Sequence, residues 1–338
     1  MEIKEHYNIQ SLNTFGIRVD AKYFAEVASI EEIQQALSFA MKLKVPILIL
    51  GGGSNLLFTE DFNGLILKIN LKGISLLNED DKHFYVKVFA GENWDDFVSY
   101  CCESGYDGLE NLSLIPGNVG ASPIQNIGAY GVELKDHFYE LEFYNFNSQE
   151  VKIIQKAACE FGYRNSVFKN ELKQKGVVLS VTFKLDKNSI FNTDYGAIND
   201  ELDNMGVKNY TAMDIRKAVI NIRRSKLPDP EEIGNAGSFF KNPVVTYEKY
   251  KELLEKFPNL VYFKQNDGTY KLAAGWLIDQ CEWKSYRKGD AGIHAKQALV
   301  LVNYGDANGA QILSLAKEVS NSVFAKFGVE LEKEVNVI

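Results

Sequence analysis

Hydrophobic positions recur along this chain at two periods, and the switches between them mark out its elements. Ile33, Leu37, Ala40 and Met41 fall on one helical face just after Ser29-Ile30-Glu31-Glu32, which has capping-box spacing. This predicts a helix leading into a buried strand at 45–50 that runs straight into Gly51-Gly52-Gly53-Ser54-Asn55. Strands are expected at 64–69 and 84–89, then a helix whose apolar stripe is Trp94, Phe97, Val98, Cys101 and Cys102. Segments 138–146 and 177–185 alternate like strands with one wet face; in the second, Leu179, Val181, Phe183 and Leu185 point inward. A helix is expected from near Lys152 to Arg164. From 186 to 209 the periodicity fades into polar and turn residues, and an irregular stretch of that length, here holding Tyr195-Gly196, reads as a functional or mobile loop. Thr211 opens a helix with Ile215, Ala218, Val219 and Ile222 on one face, which ends at the proline-rich stretch 226–230. A domain boundary is placed near Thr211. Beyond it come a helix with Tyr250, Leu253, Leu254 and Phe257, a strand at 298–303, and a long helix from Asn308 to a C-cap at Gly328. The terminal segment alternates as a strand would, with Glu330, Glu332 and Glu334 opposite Val329, Leu331, Lys333 and Val335.

At 338 residues the chain exceeds the usual size of a single core, so two or three domains are expected. Its net charge of -8 argues against a broad nucleic-acid or anionic-membrane surface. The N-terminus has no apolar h-region and the apolar runs are too short to span a bilayer, so a cytoplasmic protein is expected, without membrane or nucleic-acid partners. Cys101, Cys102, Cys159 and Cys281 lack Cys-x-x-Cys spacing and read as buried small hydrophobes. The four histidines are scattered, and no metal site is expected.

Segment 116–131 has four glycines, two prolines and no charge. Such a stretch brings backbone close to a ligand and offers N–H groups to an anion, so a phosphate-bearing guest is implied. A second loop, 234–243, repeats the Gly-Asn-x-Gly start and adds Ser238, Phe239, Phe240 and Lys241. The triple glycine after the buried strand fails the dinucleotide fingerprint, because Leu56 stands where the third glycine belongs, and no Walker pattern occurs. Arg164, among Tyr163, Ser166 and Phe168, reads as partly buried and in need of an anionic partner. Ser238 has no triad partners; standing alone it reads as a turn or capping serine. Three solvated acids are the ordinary reading of 330–334, unless one turns inward to a site. Arg223, Arg224, Lys226 and Lys241 form a local cation cluster suited to a diphosphate.

Taken together, Asn13-Thr14-Phe15-Gly16, 51–57, 115–131, Tyr163-Arg164-Asn165-Ser166, 226–230, 234–243, 271–278 and 331–335 resemble the UDP-N-acetylenolpyruvoylglucosamine reductase family over almost the whole chain. The resemblance implies an α+β protein: a two-lobed FAD-binding domain of the vanillyl-alcohol oxidase type plus an α+β substrate-binding domain. The expected divisions are 1–70 and 71–210 for the two FAD lobes, with a substrate loop at 186–209, then 211–328 for substrate and 329–338 returning to the active site. It implies noncovalent FAD, NADPH as reductant, and UDP-N-acetylglucosamine enolpyruvate as substrate, in a monomer. The flavin contacts it implies are Gly51, Gly52, Gly53, Ser54, Asn55, Pro116, Gly117, Gly120, Ser122, Pro123, Gln125, Asn126, Gly128, Tyr163 and Arg223. Tyr195, on a loop that closes over the UDP-sugar, and Lys226, Asn242 and Gln297 are the implied substrate contacts. Hydride reaches the terminal methylene carbon, Ser238 protonates the adjacent carbon, and Arg164 and Glu334 stabilise the charge between. Glu334 must then be protonated or well paired. The chain departs from the family at Asn336, where many members have arginine, and at Phe263-Lys264, where Tyr-Pro is common. Another FAD oxidoreductase of the same fold, or a non-catalytic UDP-sugar or flavin binder, are the competing readings.

Overall fold

The expected capping box at 29–32 forms: Ser29 Oγ accepts from Glu32 N, and Glu32 Oε2 accepts in turn from Ala28 N. The helix it starts, Ile30–Leu43, ends at Lys44 in the left-handed region. The computed structural model describes residues 1–195 and 197–338, so Gly196 of the expected loop lies outside the described residues. The chain divides into two compact units, Met1–Tyr7, Ala21–Gly53 and Phe62–Ser225 in one, and Asn8–Asp20, Ser54–Asp61 and Lys226–Ile338 in the other. The expected boundary near Thr211 therefore falls inside the first unit.

That first unit holds a short antiparallel ladder, Gly128–Ala129 with Val132–Glu133, and two larger sheets. In the smaller of these two, Phe62–Ile69 pairs in parallel with Asp20–Val27 and with Ile47–Leu50. Ala25, Val27, Leu65 and Leu67 share its core with Ile33, Ala36 and Leu37 of the first helix. The larger sheet is antiparallel, in the order Glu150–Gln155, Phe138–Asn145, Gly176–Asp186, His83–Phe89, Ile74–Glu79.

Strand Gly176–Asp186 departs from the expectation of one wet face: Val177 to Phe183 are buried without a break. Both faces of the strand are covered, each by its own core, and a register shift sets which side chains face which. Glu142 pairs with Ser180 and the next residue, Phe143, with Val178, so Leu179 is an extra residue in a bulge. Beyond the bulge, Val181, Phe183 and Leu185 pack with Trp94 and Phe97, whereas Leu179 joins the core of Ile33 and Leu67.

Helix Trp94–Ser104 is capped by Asn93, whose side chain accepts from the N–H groups of Asp95 and Asp96, and it ends at Gly105 with φ 71°. Cys101 and Cys159 are buried, while Cys102 and Cys281 are half-buried. The helix expected from near Lys152 is instead the edge strand Glu150–Gln155 and a 3-10 turn at Lys156–Cys159. β-branched Val151, Ile153 and Ile154 favour that outcome. Segment 186–209 is not wholly irregular either, since Ile198–Asn204 is helical. Ile198 and Leu202 pack on Ile215, Ala218, Val219 and Ile222 of helix Ala212–Lys226.

The second unit has a four-stranded antiparallel sheet in the order Gly234–Ser238, Val300–Asn303, Ala291–Ile293, Arg287–Lys288. Helix Gly309–Phe327 buries Ile312, Leu315, Val319 and Val323, and runs from the Asn308 cap to Gly328 at φ 62°. A three-stranded sheet orders Val244–Val245, Tyr270–Leu272 and Tyr262–Lys264. The terminal alternation holds only in part. Val329, Leu331 and Val335 are buried but Lys333 is exposed, and regular pairing is confined to Asn336–Val337, parallel to Leu56–Leu57.

Candidate active site

In the first unit, strand Ile47–Leu50 delivers the triple glycine directly onto the second glycine segment. A Cβ on Gly52 would stand 2.8 Å from Gly117 Cα and 2.9 Å from Asn118 Oδ1. Only backbone fits there. On the far side, Gly117 O accepts from Trp94 N at 3.0 Å and Gly120 N donates to Ala90 O at 3.0 Å. Segment 116–131 is thus less of an open N–H cradle than its composition implied. From Val119 to Ser122 every N–H is donated to a carbonyl, as is the Ser122 hydroxyl. The feature that remains for a ligand is the close approach of Gly52 and Gly117.

Downstream, Asn126 is fully buried, and its Nδ2 donates to Glu133 Oε2 and to Gly162 O while Oδ1 accepts from Lys135 N. Its amide is engaged within the protein, so it shapes the segment and staples it to the Arg164 turn. Arg164, half-buried at φ 51°, donates through Nη2 to Gly128 O at 2.7 Å, and its guanidinium lies 5.4 Å from the Tyr163 ring centre. The structure therefore brings Asn126, Gly128, Tyr163 and Arg164 together. Pro116 is exposed, Pro123 buried and Gln125 half-buried in the same segment.

Asp95 is a residue that sequence reasoning passed over. Its carboxylate accepts from both terminal nitrogens of Arg216, at 2.5 and 2.9 Å, and also from Leu114 N, just before the glycine segment. Burial pushes the Asp95 carboxyl up, but the Arg216 guanidinium and the Leu114 N–H outweigh it and hold it below its ordinary value. The pairing spans 121 residues, beyond the reach of any local pattern. Arg216 belongs to helix Ala212–Lys226, which also carries Arg223. Burial pushes the Arg223 guanidinium down from its usual range, and its Nε is buried with no hydrogen-bond partner. An orphaned, buried guanidinium N–H and a glycine contact with no room for a Cβ fit a phosphate-bearing group such as FAD.

In the second unit, Gly237 at φ 68° and a register shift before Ser238 turn that residue at the end of its strand, where it pairs with Val300 and is half-buried. Glu334 N donates to Phe239 O at 2.8 Å, which sets Glu334 beside the Ser238 strand. Asn55 Nδ2 donates to Glu334 O at 3.2 Å, and Asn336 N donates to Asn55 O at 3.1 Å. Asn55, expected at the flavin, is therefore tied to the Glu334 backbone, and Asn336 serves that tie. Glu334 is half-buried while Glu330 and Glu332 are exposed. The expected cation cluster loses one member, because Lys241 pairs with Glu332 at 2.5 Å. Asn242 Oδ1 accepts from Ala274 N at 2.9 Å, and Gln297 Oε1 would lie 3.1 Å from a Cβ on the next residue, Gly275. These two expected substrate contacts thus meet at the start of helix Ala274–Asp279. Lys226 is exposed, and Tyr195 of the first unit is half-exposed.

Residues 229–338 match the UDP-N-acetylenolpyruvoylglucosamine reductase C-terminal domain, and residues 21–154 match the FAD binding domain. The UDP-N-acetylenolpyruvoylglucosamine reductase of Flavobacterium johnsoniae is 48% identical over 339 residues, covering 100% of both chains. That of Chromobacterium violaceum is 49% identical, over 99% of this chain and 98% of its own. The chain belongs to the UDP-N-acetylenolpyruvoylglucosamine reductase family. The crystal structure of UDP-N-acetylenolpyruvylglucosamine reductase from Thermus caldophilus shares the fold, with a TM-score of 0.68 at 23% identity and coverage of 99% and 98%. The reductase fold is thus the expected α+β one, an FAD-binding domain followed by the reductase C-terminal domain. Among the described residues no helix is long and apolar enough to cross a membrane.

Proposed function

We propose that this chain reduces UDP-N-acetylglucosamine enolpyruvate to UDP-N-acetylmuramate with NADPH, through noncovalent FAD, in peptidoglycan precursor synthesis. The observation that carries this reading is the end-to-end likeness to the reductases at 48–49% identity, which takes in both units. When bound, FAD would supply the hydride chemistry that links NADPH to the terminal methylene carbon of the substrate. Gly52, Gly117 and Arg223 are the residues we assign to its diphosphate.

The chain's own residues manage charge and protons. As the methylene carbon gains hydride, negative charge grows on the neighbouring carbon and its carboxylate. Arg164, oriented by Gly128 O and the Tyr163 ring, supplies fixed positive charge to that carboxylate. Ser238 supplies the proton to the neighbouring carbon. A hydroxyl is a weak acid, but the acceptor is strongly basic, and the register shift places Ser238 at its strand end. Glu334, held through its backbone by Phe239 and Asn55, stabilises the same intermediate in its protonated or paired form. Tyr195, Lys226, Asn242 and Gln297 are assigned to the UDP-sugar. We place the enzyme in the cytoplasm as a monomer, with access to NADPH and nucleotide sugars.

The test separates the half-reactions. With Ser238→Ala, stopped-flow reduction of the flavin by NADPH stays at the wild-type rate, while anaerobic reoxidation by the enolpyruvyl substrate slows by about 10²–10⁴-fold, the contribution of a positioned proton donor. Equal slowing of both halves would remove Ser238 from this role. A wild-type protein that cannot be reconstituted with FAD would end the whole reading.

A further inference from the structure

Between helix Trp94–Ser104 and the glycine segment the chain makes a 3-10 turn, Glu110–Leu112, whose three residues are all buried. Asn111, at its centre, has no exposure at all. Its Nδ2 donates to two carbonyls, Tyr130 O at 2.9 Å and Asn192 O at 2.8 Å, while its Oδ1 is buried without a partner. A buried, unpaired amide oxygen is unfavourable, so the side chain is kept at this position by what its nitrogen does. Its two acceptors lie in different functional stretches. Tyr130 closes segment 116–131, and Asn192 stands three residues before Tyr195.

A second contact joins the same two stretches. Asn192 Nδ2 donates to Gly131 O at 3.3 Å, and a Cβ on Gly131 would lie 2.9 Å from that nitrogen and 3.2 Å from Tyr195 Cβ. At φ 80° the backbone of Gly131 also favours glycine. Behind the loop, Phe191 packs against Tyr210 with ring centres 6.1 Å apart, and Thr193 is buried with its hydroxyl 3.4 Å from that of Tyr210. Tyr195 itself stays 46% exposed, seated over Gly131.

We propose that Asn111 and Gly131 are positioning residues for the substrate half-reaction: they anchor the base of the tyrosine loop to the end of the glycine segment, the fixed point from which Tyr195 closes over the UDP-sugar. This rests on the reading of Tyr195 as a substrate contact. Neither residue touches the reacting atoms, and both act through Tyr195.

Asn111→Leu and Gly131→Ala, both tested as FAD-loaded full-length protein, distinguish this from a general structural role. Expected for each are a KM for UDP-N-acetylglucosamine enolpyruvate raised about tenfold, near the net contribution of one hydrogen bond, and flavin reduction by NADPH at the wild-type rate. Amide exchange over 190–195 should be faster than wild type in both. Gly131 is exposed, so its variant reports even where Asn111→Leu fails to fold. Unchanged KM and exchange in Gly131→Ala, or equal damage to both half-reactions, would overturn the proposal. A wild-type protein inert towards the enolpyruvyl ether would instead strike the functional reading, and the exchange rates would still decide whether the loop is anchored.

Discussion

Gly52→Ala isolates the contact between the two glycine segments. Gly52 has no left-handed φ, so the substitution brings no backbone strain, and its whole effect is steric. The new Cβ would meet Gly117 Cα at 2.8 Å and its carbonyl carbon at 3.2 Å, against about 3.5 Å for carbon atoms in ordinary contact. The missing distance, about 0.7 Å by that comparison, has to come from backbone. Segment 116–120 cannot readily recede, since Trp94 N and Glu92 O hold it and a Cβ on Gly120 would already be 2.5 Å from Ala90 Cβ. Overpacking of this kind destabilises by about 1–3 kcal/mol. In deflavinated protein the melting temperature should fall by about 2–4 °C per kcal/mol. Flavin-fluorescence titration should show FAD bound about tenfold to a hundredfold more weakly, at 1.4 kcal/mol per tenfold. Gly51→Ala is the comparison: its Cβ would meet Ala121 Cβ and Asn118 Cβ at 3.7 Å, an ordinary contact, and apoprotein stability should stay within about 0.5 kcal/mol. A Gly52→Ala protein with wild-type melting temperature and FAD affinity would refute the argument that these loops define the flavin site by their close approach.

Arg164→Ala should leave reduction by NADPH intact and slow anaerobic reoxidation by about 10²–10³-fold, the effect of removing one fixed charge donor from a developing anion; normal stopped-flow reoxidation would count against it. Asp95→Asn should lower stability by about 1–2 kcal/mol, as for the loss of a charge-assisted, bidentate contact in a partly buried setting, read from urea midpoints at pH 7. Because the folded-state pKa of Asp95 is depressed, its contribution is present above the ordinary carboxylate value of 3.8 and lost as pH falls through the folded value. Wild-type stability should therefore fall in acid more steeply than that of the variant. Burial pushes the thiols of Cys102 and Cys159 up to about 12 and that of Cys101 well above its usual value. At pH 8 a thiol-disulfide reagent should accordingly modify no more than Cys281 until the protein is unfolded.

Elements with caps and a single apolar face were legible from sequence. Helices Ile30–Leu43 and Gly309–Phe327 appear where Ser29, Asn308 and Gly328 placed their ends. What failed depended on partners distant in the chain. The bulge at Leu179 follows from its pairing with Glu142 and Phe143, and no alternation within 177–185 reveals it. The short helix Ile198–Asn204 is stabilised by packing on Ile215 and Ile222 more than by its own pattern. For the site, glycine content pointed to two segments that the fold brings into contact but not to how they pack, because all four N–H groups from 119 to 122 are tied internally. Asn111 and Asp95 gave no signal, since an asparagine beside Glu110 and an aspartate beside Asp96 form no motif and their partners are remote.

The second unit is assembled from stretches far apart in the order of synthesis. Asn8–Asp20 and Ser54–Asp61 leave the ribosome early, yet their partners lie beyond residue 225. Asn235 N donates to Thr14 O, Asn303 Nδ2 to Phe15 O, and both Thr59 N and Thr59 Oγ1 donate to Ile338 O. Buried aromatics such as Phe15 and Phe58 must therefore wait for some two hundred residues to be made before anything covers them. This makes the nascent chain, rather than the finished protein, the form most exposed to aggregation and to chaperones. It also means that a fragment cut at residue 226 to isolate the C-terminal domain would lack part of its own core, so a soluble version calls for grafting 8–20 and 54–61 back onto it.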